Sequence, residues 1–162
     1  MRKTELPNCP QWLLDARTEY EDVVVEDGIL VWRAGNFLGG NFRGGDFLGG
    51  NFRGGNFRGG NFRGGDFLGG NFRGGNFRGG NFWGGDFLGE KITRKPISIY
   101  GLARPVLIVQ THLRIGCQTH PHAEWEKFSD DEISQMAEGA LAFWKENKDF
   151  LLSICKHERE AR

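Results

Sequence analysis

Four side chains with metal-binding chemistry lie within eleven residues of one another. They are His112, Cys117, His120 and His122, in the spacing His-x4-Cys-x2-His-x-His. Imidazole and thiolate are ligand types that zinc accepts, but this spacing matches no standard structural zinc site. The two histidines beside Pro121 would also have to turn sharply to reach one ion. We therefore predict no metal and no cofactor, and these four residues are the ligands a metal would use.

Nucleophilic catalysis has little support in the sequence. The chain has four Ser residues and no Gly-Xaa-Ser-Xaa-Gly motif. No Lys-Ser/Thr pair follows the glycines, so the glycines do not read as a phosphate-binding loop. A pairing of Cys117 with a histidine stays open, because one sequence does not show which residues are neighbours in space. We predict that the protein is not an enzyme.

Arginines and aspartates recur at fixed positions in the middle of the chain. Evenly spaced Arg beside Trp83 could bind phosphate groups of nucleic acid or of a nucleotide. The alternative is that Arg keeps a β-rich surface soluble and discourages edge pairing. Asp46, Asp66 and Asp86 are predicted to cap turns rather than to act as catalytic carboxylates. The anion-binding candidates are Arg43, Arg53, Arg58, Arg63, Arg73 and Arg78.

These residues belong to a five-residue unit, Gly-Asn/Asp-Phe-Xaa-Gly, that repeats eleven times over residues 35–89. Fixed-period repeats are typical of solenoids, in which each unit buries its apolar face by stacking on its neighbours. The central Phe of each unit is predicted to point inward and to stack in columns. These core residues are Phe37, Phe42, Phe47, Phe52, Phe57, Phe62, Phe67, Phe72, Phe77, Phe82 and Phe87.

A second period of twenty residues overlies the first. Asp replaces Asn at three units spaced by twenty, and the same units carry Leu48, Leu68 and Leu88 after the Phe. Twenty residues make four units, so this pattern predicts a four-sided coil with an Asp column beside a Leu stripe. An apolar stripe is expected to be covered by the flanks of the chain or by a second subunit. The interface candidates are Leu48, Leu68, Leu88, Trp83, Met136, Phe143, Trp144 and Phe150.

The repeat resembles the pentapeptide-repeat family, whose usual pattern is Ala-Asp/Asn-Leu-Xaa-Xaa. That resemblance implies a mainly β fold, a right-handed quadrilateral β-helix that is often dimeric. Phe for the central Leu and Gly for the small Ala would suit a wider interior filled by aromatic rings. Some members of the family resemble DNA in shape and charge and bind type II topoisomerases. Here the repeat carries six Arg against three Asp, and a DNA mimic should be acidic.

The flanks divide the chain into three predicted regions. Residues 1–34 form a cap with a β-hairpin that turns at Asp27-Gly28, and residues 35–109 form the solenoid, regular over 35–89. Ile92, Ile97, Leu102 and Leu107 keep the five-residue phase and predict irregular rungs. Residues 110–162 form a C-terminal module, with Ser129 as the N-cap of a helix over about 130–156 that could break near Asn147.

Residues 99–155 also resemble a C-terminal module of phage and prophage proteins of unknown function. The residues that carry this resemblance are Gly101-Leu102, Pro105-Val106, Ile115-Gly116-Cys117, His120, Glu124-Trp125, Phe128 and Phe143-Trp144. In such proteins the module follows Gly-Xaa-Trp/Phe-Xaa-Gly repeats, as it does here. The resemblance implies a phage-type protein and brings no activity with it.

Composition sets the remaining expectations. Lys plus Arg equals Asp plus Glu at 21 each, so net charge favours neither nucleic acid nor an acidic mimic as the role. Three Cys without a paired spacing, and no apolar leader after Met1, predict a protein of the reducing cytoplasm. If the protein is phage-encoded, this prediction means the host cytoplasm or a virion-associated location. No apolar run is long enough to span a membrane. We predict a homo-oligomeric interaction or assembly protein with an unidentified protein partner. One alternative is a regulator of DNA transactions that binds a topoisomerase or, less favoured, nucleic acid through its Arg faces. Another is a trap for a small anionic ligand between subunits.

Overall fold

Two units of structure follow one another along the chain, Met1–Lys95 and Pro96–Arg162. The computed structural model describes residues 1–161 except positions 43, 53, 59, 68, 73, 78, 80 and 83. The first unit holds the N-terminal segment and the repeats. The second holds an antiparallel sheet with three helices.

The N-terminal segment begins with a single 3-10 turn at Lys3–Glu5 and a short helix α1 at Gln11–Asp15. Strands β1 (Arg17–Glu26) and β2 (Ile29–Gly39) then pair as an antiparallel hairpin. The turn between them uses Asp27 at φ 51° and Gly28 at φ 77°, the two positive φ angles that a tight two-residue turn requires. The predicted hairpin is confirmed, and it is longer than the sequence suggested.

The repeats form short strands, each an Asn or Asp followed by Phe. Strands of two residues are β3 (Asn41–Phe42), β4 (Asp46–Phe47), β5 (Asn51–Phe52), β6 (Asn56–Phe57), β7 (Asn61–Phe62), β8 (Asp66–Phe67), β9 (Asn71–Phe72), β10 (Asn76–Phe77) and β11 (Asn81–Phe82). They are followed by β12 (Gly85–Phe87) and β13 (Glu90–Ile92).

Each strand of the repeat up to β9 pairs in parallel with the strand fifteen residues later, which makes the fold a β-solenoid. Phe37 pairs with Phe52, and Phe52 with Phe67. The predicted mainly β solenoid is confirmed, but the four-sided coil is wrong, because fifteen residues make three units and therefore three sides. The aromatic columns are Trp32, Phe47, Phe62 and Phe77; Phe37, Phe52, Phe67 and Phe82; and Phe42, Phe57, Phe72 and Phe87.

The size of the Phe ring explains the three-sided coil. Within the columns, consecutive Phe rings stack with centroids 4.5 to 4.9 Å apart from Phe37 to Phe77. Rings of different columns meet edge to face, for example Phe52 with Phe57 and with Phe62 at 5.8 Å each. Three such rings fill the interior of a coil, whereas a fourth side would leave empty space at its centre, which protein cores avoid.

The glycines let consecutive coils approach closely. At Gly65 the φ angle is +97°, and an added Cβ would lie 2.6 Å from the carbonyl oxygen of Gly50 and 2.8 Å from the ring of Phe52. A side chain there would collide with both the backbone and the core. The replacement of Ala by Gly therefore allows consecutive coils to pack closely. The expected wider interior is wrong because the coil has three sides and not four.

The first coil is covered by the N-terminal segment. Trp32 begins one aromatic column, and its ring centroid lies 3.8 Å from that of Phe37. Trp12 of α1 meets Phe42 edge to face at 6.0 Å, and its neighbour Leu13 is fully buried. Terminal repeats of solenoids are expected to differ from the rest because they must cover an exposed core.

Regular coils end after Phe87. Leu88 at φ 50° and Gly89 at φ 83° reverse the chain, and β13 pairs antiparallel with β12. The predicted continuation of the rungs through Leu107 is wrong. The chain instead forms an antiparallel meander of β14 (Ile97–Ile99), β15 (Val106–Ile108), β16 (His112–Ile115) and β17 (Gln118–Pro121).

Three helices complete the second unit: α2 (His122–Lys127), α3 (Asp130–Ser134) and α4 (Ala140–Glu160). Ser129 caps α3 as predicted, since its Oγ accepts from the backbone N–H of Glu132 at 3.2 Å. The single helix expected over 130–156 is interrupted between α3 and α4, where Gly139 has φ 76°. The chain is helical at Asn147, whose side chain donates to the carbonyl oxygen of Phe143, so the break predicted there is wrong.

The core of the second unit lies between the meander and the helices. Trp125 of α2 and Trp144 of α4 are 2% and 3% exposed, with ring centroids 5.1 Å apart. The other buried members are Val106, Ile108, Leu113, Ile115, Ile133, Phe143, Leu151 and Cys155.

Candidate functional site

The surface of the solenoid carries ladders of amide side chains. Asn51 donates to Asn36, and Asn56 to Asn41, each at 3.0 Å. Asn61 donates to Asp46 Oδ1 at 2.8 Å. Each bond joins residues fifteen apart, so the ladders tie consecutive coils together outside the core.

The three aspartates lie in different ladders. Asp46 aligns with Asn61, Asp66 with Asn51, and Asp86 with Asn71. The predicted Asp column is therefore wrong, because residues twenty apart fall on successive sides of a fifteen-residue coil. The arrangement separates the three charges, and it offers no pair of carboxylates for general acid–base chemistry.

The predicted Leu stripe is wrong for the same reason. The backbone N–H of Leu48 donates to the carbonyl oxygen of Trp32, and that of Leu88 donates to the carbonyl oxygen of Phe72. Because Trp32 and Phe72 belong to different aromatic columns, the two leucines lie on different sides of the solenoid. Their exposed fractions are 43% and 41%. Leu68 of the same stripe and the interface candidate Trp83 lie outside the described residues.

Two of the six predicted anion-binding arginines are described. Arg58 is exposed, and Arg63, with a half-exposed side chain, lies 3.8 Å from Asp46 Oδ2. They follow Phe57 and Phe62, which belong to different columns, so the two guanidinium groups do not share one side. The candidates Arg43, Arg53, Arg73 and Arg78 lie outside the described residues.

The last coil of the solenoid leaves one of its three rings partly exposed, whereas the other two, Phe77 and Phe87, are 4% and 1% exposed. Strands β10 and β11 are the two terminal strands of their sheet, and each pairs with one strand only among the described residues. Phe82 is half-buried, and its ring lies 6.2 Å from Phe67 at an angle of 32°, a looser fit than the stacks before it. The edge of the sheet and an aromatic ring thus meet at one end of the repeat.

The four residues of the metal hypothesis are spread over the second unit. His112 begins β16, Cys117 is exposed at the β16–β17 turn, His120 lies in β17, and His122 begins α2. His120 Nδ1 lies 3.2 Å from Glu124 Oε2 and its Nε2 lies 2.9 Å from Gln118 Oε1. Across the described part of the chain, no group of three His, Cys, Asp or Glu side chains is placed to hold a metal.

His122 serves a structural purpose instead. Its Nε2 donates to the carbonyl oxygens of Val109 at 2.9 Å and His112 at 3.1 Å, which fixes α2 to the end of the meander. The side chain is 2% exposed, and its buried Nδ1 has no hydrogen-bond partner among the residues that the structure describes. Burial lowers the pKa of His122, so the ring is held in the neutral form.

The interface candidates of the C-terminal module divide into buried and exposed residues. Phe143 and Trp144 are 6% and 3% exposed and belong to the core of the second unit. Met136 packs against that core. Phe150 is 52% exposed on α4 and is therefore the candidate that a partner can reach.

The sequence did not point to a pocket that opens on the same core. We call it the Trp125 pocket. It encloses about 40 Å³, and about 390 Å³ when the open space at its mouth is counted. Its lining residues are Arg104, Ile115, Cys117, Gln118, Trp125, Ile133, Met136, Ala137, Ala140, Phe143 and Trp144. These residues are dispersed over positions 104–144 of the sequence, and only folding brings them together.

Among the described residues, no helix is both long and apolar enough to cross a membrane. Comparisons of this chain with protein-family models, with curated proteins and with solved structures found no match. The structure is a β-solenoid with a five-residue unit, which is consistent with a pentapeptide-repeat protein. The comparisons give no support to the resemblance of residues 99–155 to phage proteins.

Proposed function

We propose that this protein is a non-enzymatic binding protein that associates with a second copy of itself through the last coil of its solenoid. The observation that carries the proposal is the difference between the two ends. The first coil is sealed by Trp12 and Leu13, whereas the last coil ends in the terminal strands β10 and β11 and the half-buried Phe82. An aromatic ring beside the terminal strands of a sheet favours association.

The rest of the solenoid suits a rigid scaffold. Its interior is filled by stacked rings and its coils are joined by amide ladders, so it can present a fixed surface without moving. Repeat folds of this kind commonly act by binding. The resemblance of residues 99–155 to phage and prophage proteins extends the proposal to an assembly role in a phage or its host cytoplasm.

The test is the mass of the intact protein in solution, measured by light scattering over a range of concentrations at low and high salt. We expect a dimer whose mass does not fall at high salt, because aromatic packing is not screened by ions. Phe82→Lys should give a monomer, since it places a charge in the contact. Leu48→Lys is the matched control, because Leu48 is exposed on a side of the solenoid.

The concentration series on the unchanged protein decides the proposal even if Phe82→Lys does not fold. A monomer at all concentrations would overturn it. So would a Phe82→Lys variant that folds, as judged by circular dichroism, and remains dimeric.

The alternative function is binding of nucleic acid or a small anion through arginine. The exposed Arg58 supports it. The same samples test it by the ratio of absorbance at two wavelengths, which reveals bound nucleic acid. Nucleic acid that is present at low salt and lost at high salt would favour this alternative, because phosphate contacts weaken steeply with salt.

A further inference from the structure

We propose that the Trp125 pocket binds a small carboxylic acid with an aliphatic or aromatic body, whose carboxylate is held by Arg104. This site lies wholly within the second unit, and it does not depend on the self-association proposed above. Three features of the pocket support this assignment: its apolar walls, the one charged residue among its described lining residues, and its size.

The walls are apolar and held in place. Trp125 and Trp144 are almost fully buried, and Ile133 is 1% exposed. The indole N–H of Trp125 is already committed, since it donates to the carbonyl oxygen of Leu113 at 2.7 Å. The deeper wall therefore offers a ligand hydrophobic contact, and little that would bind a polar group.

Arg104 supplies a charge at this apolar surface. It is half-buried, and its Nη2 donates to the carbonyl oxygen of Glu138, which fixes the guanidinium in position. A guanidinium carries five N–H donors in a planar fork that matches a carboxylate. Among the described residues Glu138 is the one hydrogen-bond partner of Arg104, so donors are left for a ligand.

The polar neighbours do not neutralise Arg104. Gln118 is uncharged, and its Oε1 is engaged with His120 Nε2 at 2.9 Å. Cys117 is exposed and contributes a thiol to the lining. An anionic group beside Arg104 with an apolar body against the tryptophans would satisfy both parts of the pocket.

The size limits the ligand to a small one. The enclosed part of the pocket measures about 40 Å³, the space of roughly three water-sized groups, so it holds only the end of the apolar body while the rest of the ligand lies along the open side. Met136 and Ala137 lie at the opening, where a flexible Met side chain can adapt to the shape of the ligand. Hexanoate is a suitable probe, and 1-hexanol is its matched uncharged control.

Binding can be measured by titrating each probe into the full-length protein and following the indole N–H signals by NMR. We expect hexanoate to shift the signals of Trp125 and Trp144, and 1-hexanol to bind at least tenfold more weakly. Arg104→Gln should remove this preference, because it keeps a donor for Glu138 and deletes the charge. Arg104→Lys should retain it in part. Arg58→Gln, in the first unit, should leave it unchanged.

A second set of measurements locates the ligand. Ala137→Trp should abolish binding by filling the opening, and Ala137 is exposed, so the change does not disturb the core. Hexanoate should also slow alkylation of Cys117 and leave that of Cys9 unchanged. The proposal is overturned if hexanoate does not shift the two indole signals, if Arg104→Gln binds it as the original protein does, or if Ala137→Trp has no effect.

Discussion

The fifteen-residue coil can be tested by asking which Phe rings are energetically coupled. Among the described residues five rings contact Phe52, and the closest is Phe67 with centroids 4.5 Å apart. Phe72 is not one of the five. In a four-sided coil of twenty residues the opposite would hold, with Phe52 stacked on Phe72. Double-mutant cycles with Phe→Leu at these positions therefore distinguish the two coils.

The expected magnitudes follow from the ring contacts. Each Phe→Leu change keeps an apolar side chain in the core and loses its stacking, so each single variant should cost about 1–2 kcal/mol. The coupling between Phe52 and Phe67 should be about 0.5–1.5 kcal/mol, the usual value for an aromatic pair. The coupling between Phe52 and Phe72 should stay below about 0.5 kcal/mol, since the rings do not touch.

The assay is urea unfolding followed by far-ultraviolet circular dichroism, with a shared slope for the four proteins of each cycle. The three-sided coil would be refuted if the coupling of Phe52 with Phe72 exceeded that of Phe52 with Phe67. Equal and negligible couplings in both cycles would refute the stacked core itself.

Three further changes have outcomes that the structure specifies. Gly65→Ala should lower the free energy of unfolding by about 3 kcal/mol or more, because the new Cβ meets the preceding coil, whereas Gly89→Ala, with positive φ and open space, should cost about 1 kcal/mol. Stability should fall as the pH drops below about 6.5, since burial lowers the pKa of folded His122 and the unfolded chain then binds the proton more tightly; urea midpoints from pH 7.5 to 5 measure this. A maleimide should modify Cys117 first and Cys155 last, as mass spectrometry can show, because Cys155 is fully buried and its pKa is raised to about 12.

For each of these three predictions, a specific result would contradict it. Similar losses for the two glycine variants would show that coils do not approach closely at Gly65. His122→Gln should flatten the stability profile between pH 6.5 and 5, so an unchanged slope would assign the effect to other groups. Rapid modification of Cys155 in the folded protein would show that the second unit opens readily.

The solenoid could be predicted because its signal is local and repeated. A Phe every five residues, with Gly pairs at the corners, specifies inward rings and short strands before any long-range contact is known. The number of sides could not be read in the same way. It depends on how many rings fill the interior, and the Asp46, Asp66 and Asp86 pattern has a period that differs from the coil.

The second unit shows which features of the fold could not be predicted from the sequence. Ile97 and Leu107 keep the five-residue phase by spacing alone, yet they belong to an antiparallel meander, because short apolar runs fit either structure. The break before α4 depends on Gly139, whose positive φ angle gives no periodic signal. Arg104 could not be connected with Trp125 from spacing, since a loop and a helix supply them.

Because three repeat units make one coil, the number of units determines the side on which the chain leaves the solenoid. Adding one five-residue unit between Phe57 and Phe62 would preserve every local contact of the unit, yet all later residues would move on by one side of the prism. The chain would then leave the solenoid a third of a turn away from its present exit. Insertions of fifteen residues would lengthen the prism and keep the exit on the same side. Length variants of this protein should therefore tolerate the insertion of whole coils most readily. Insertion of a single unit would change the side on which the chain leaves the solenoid.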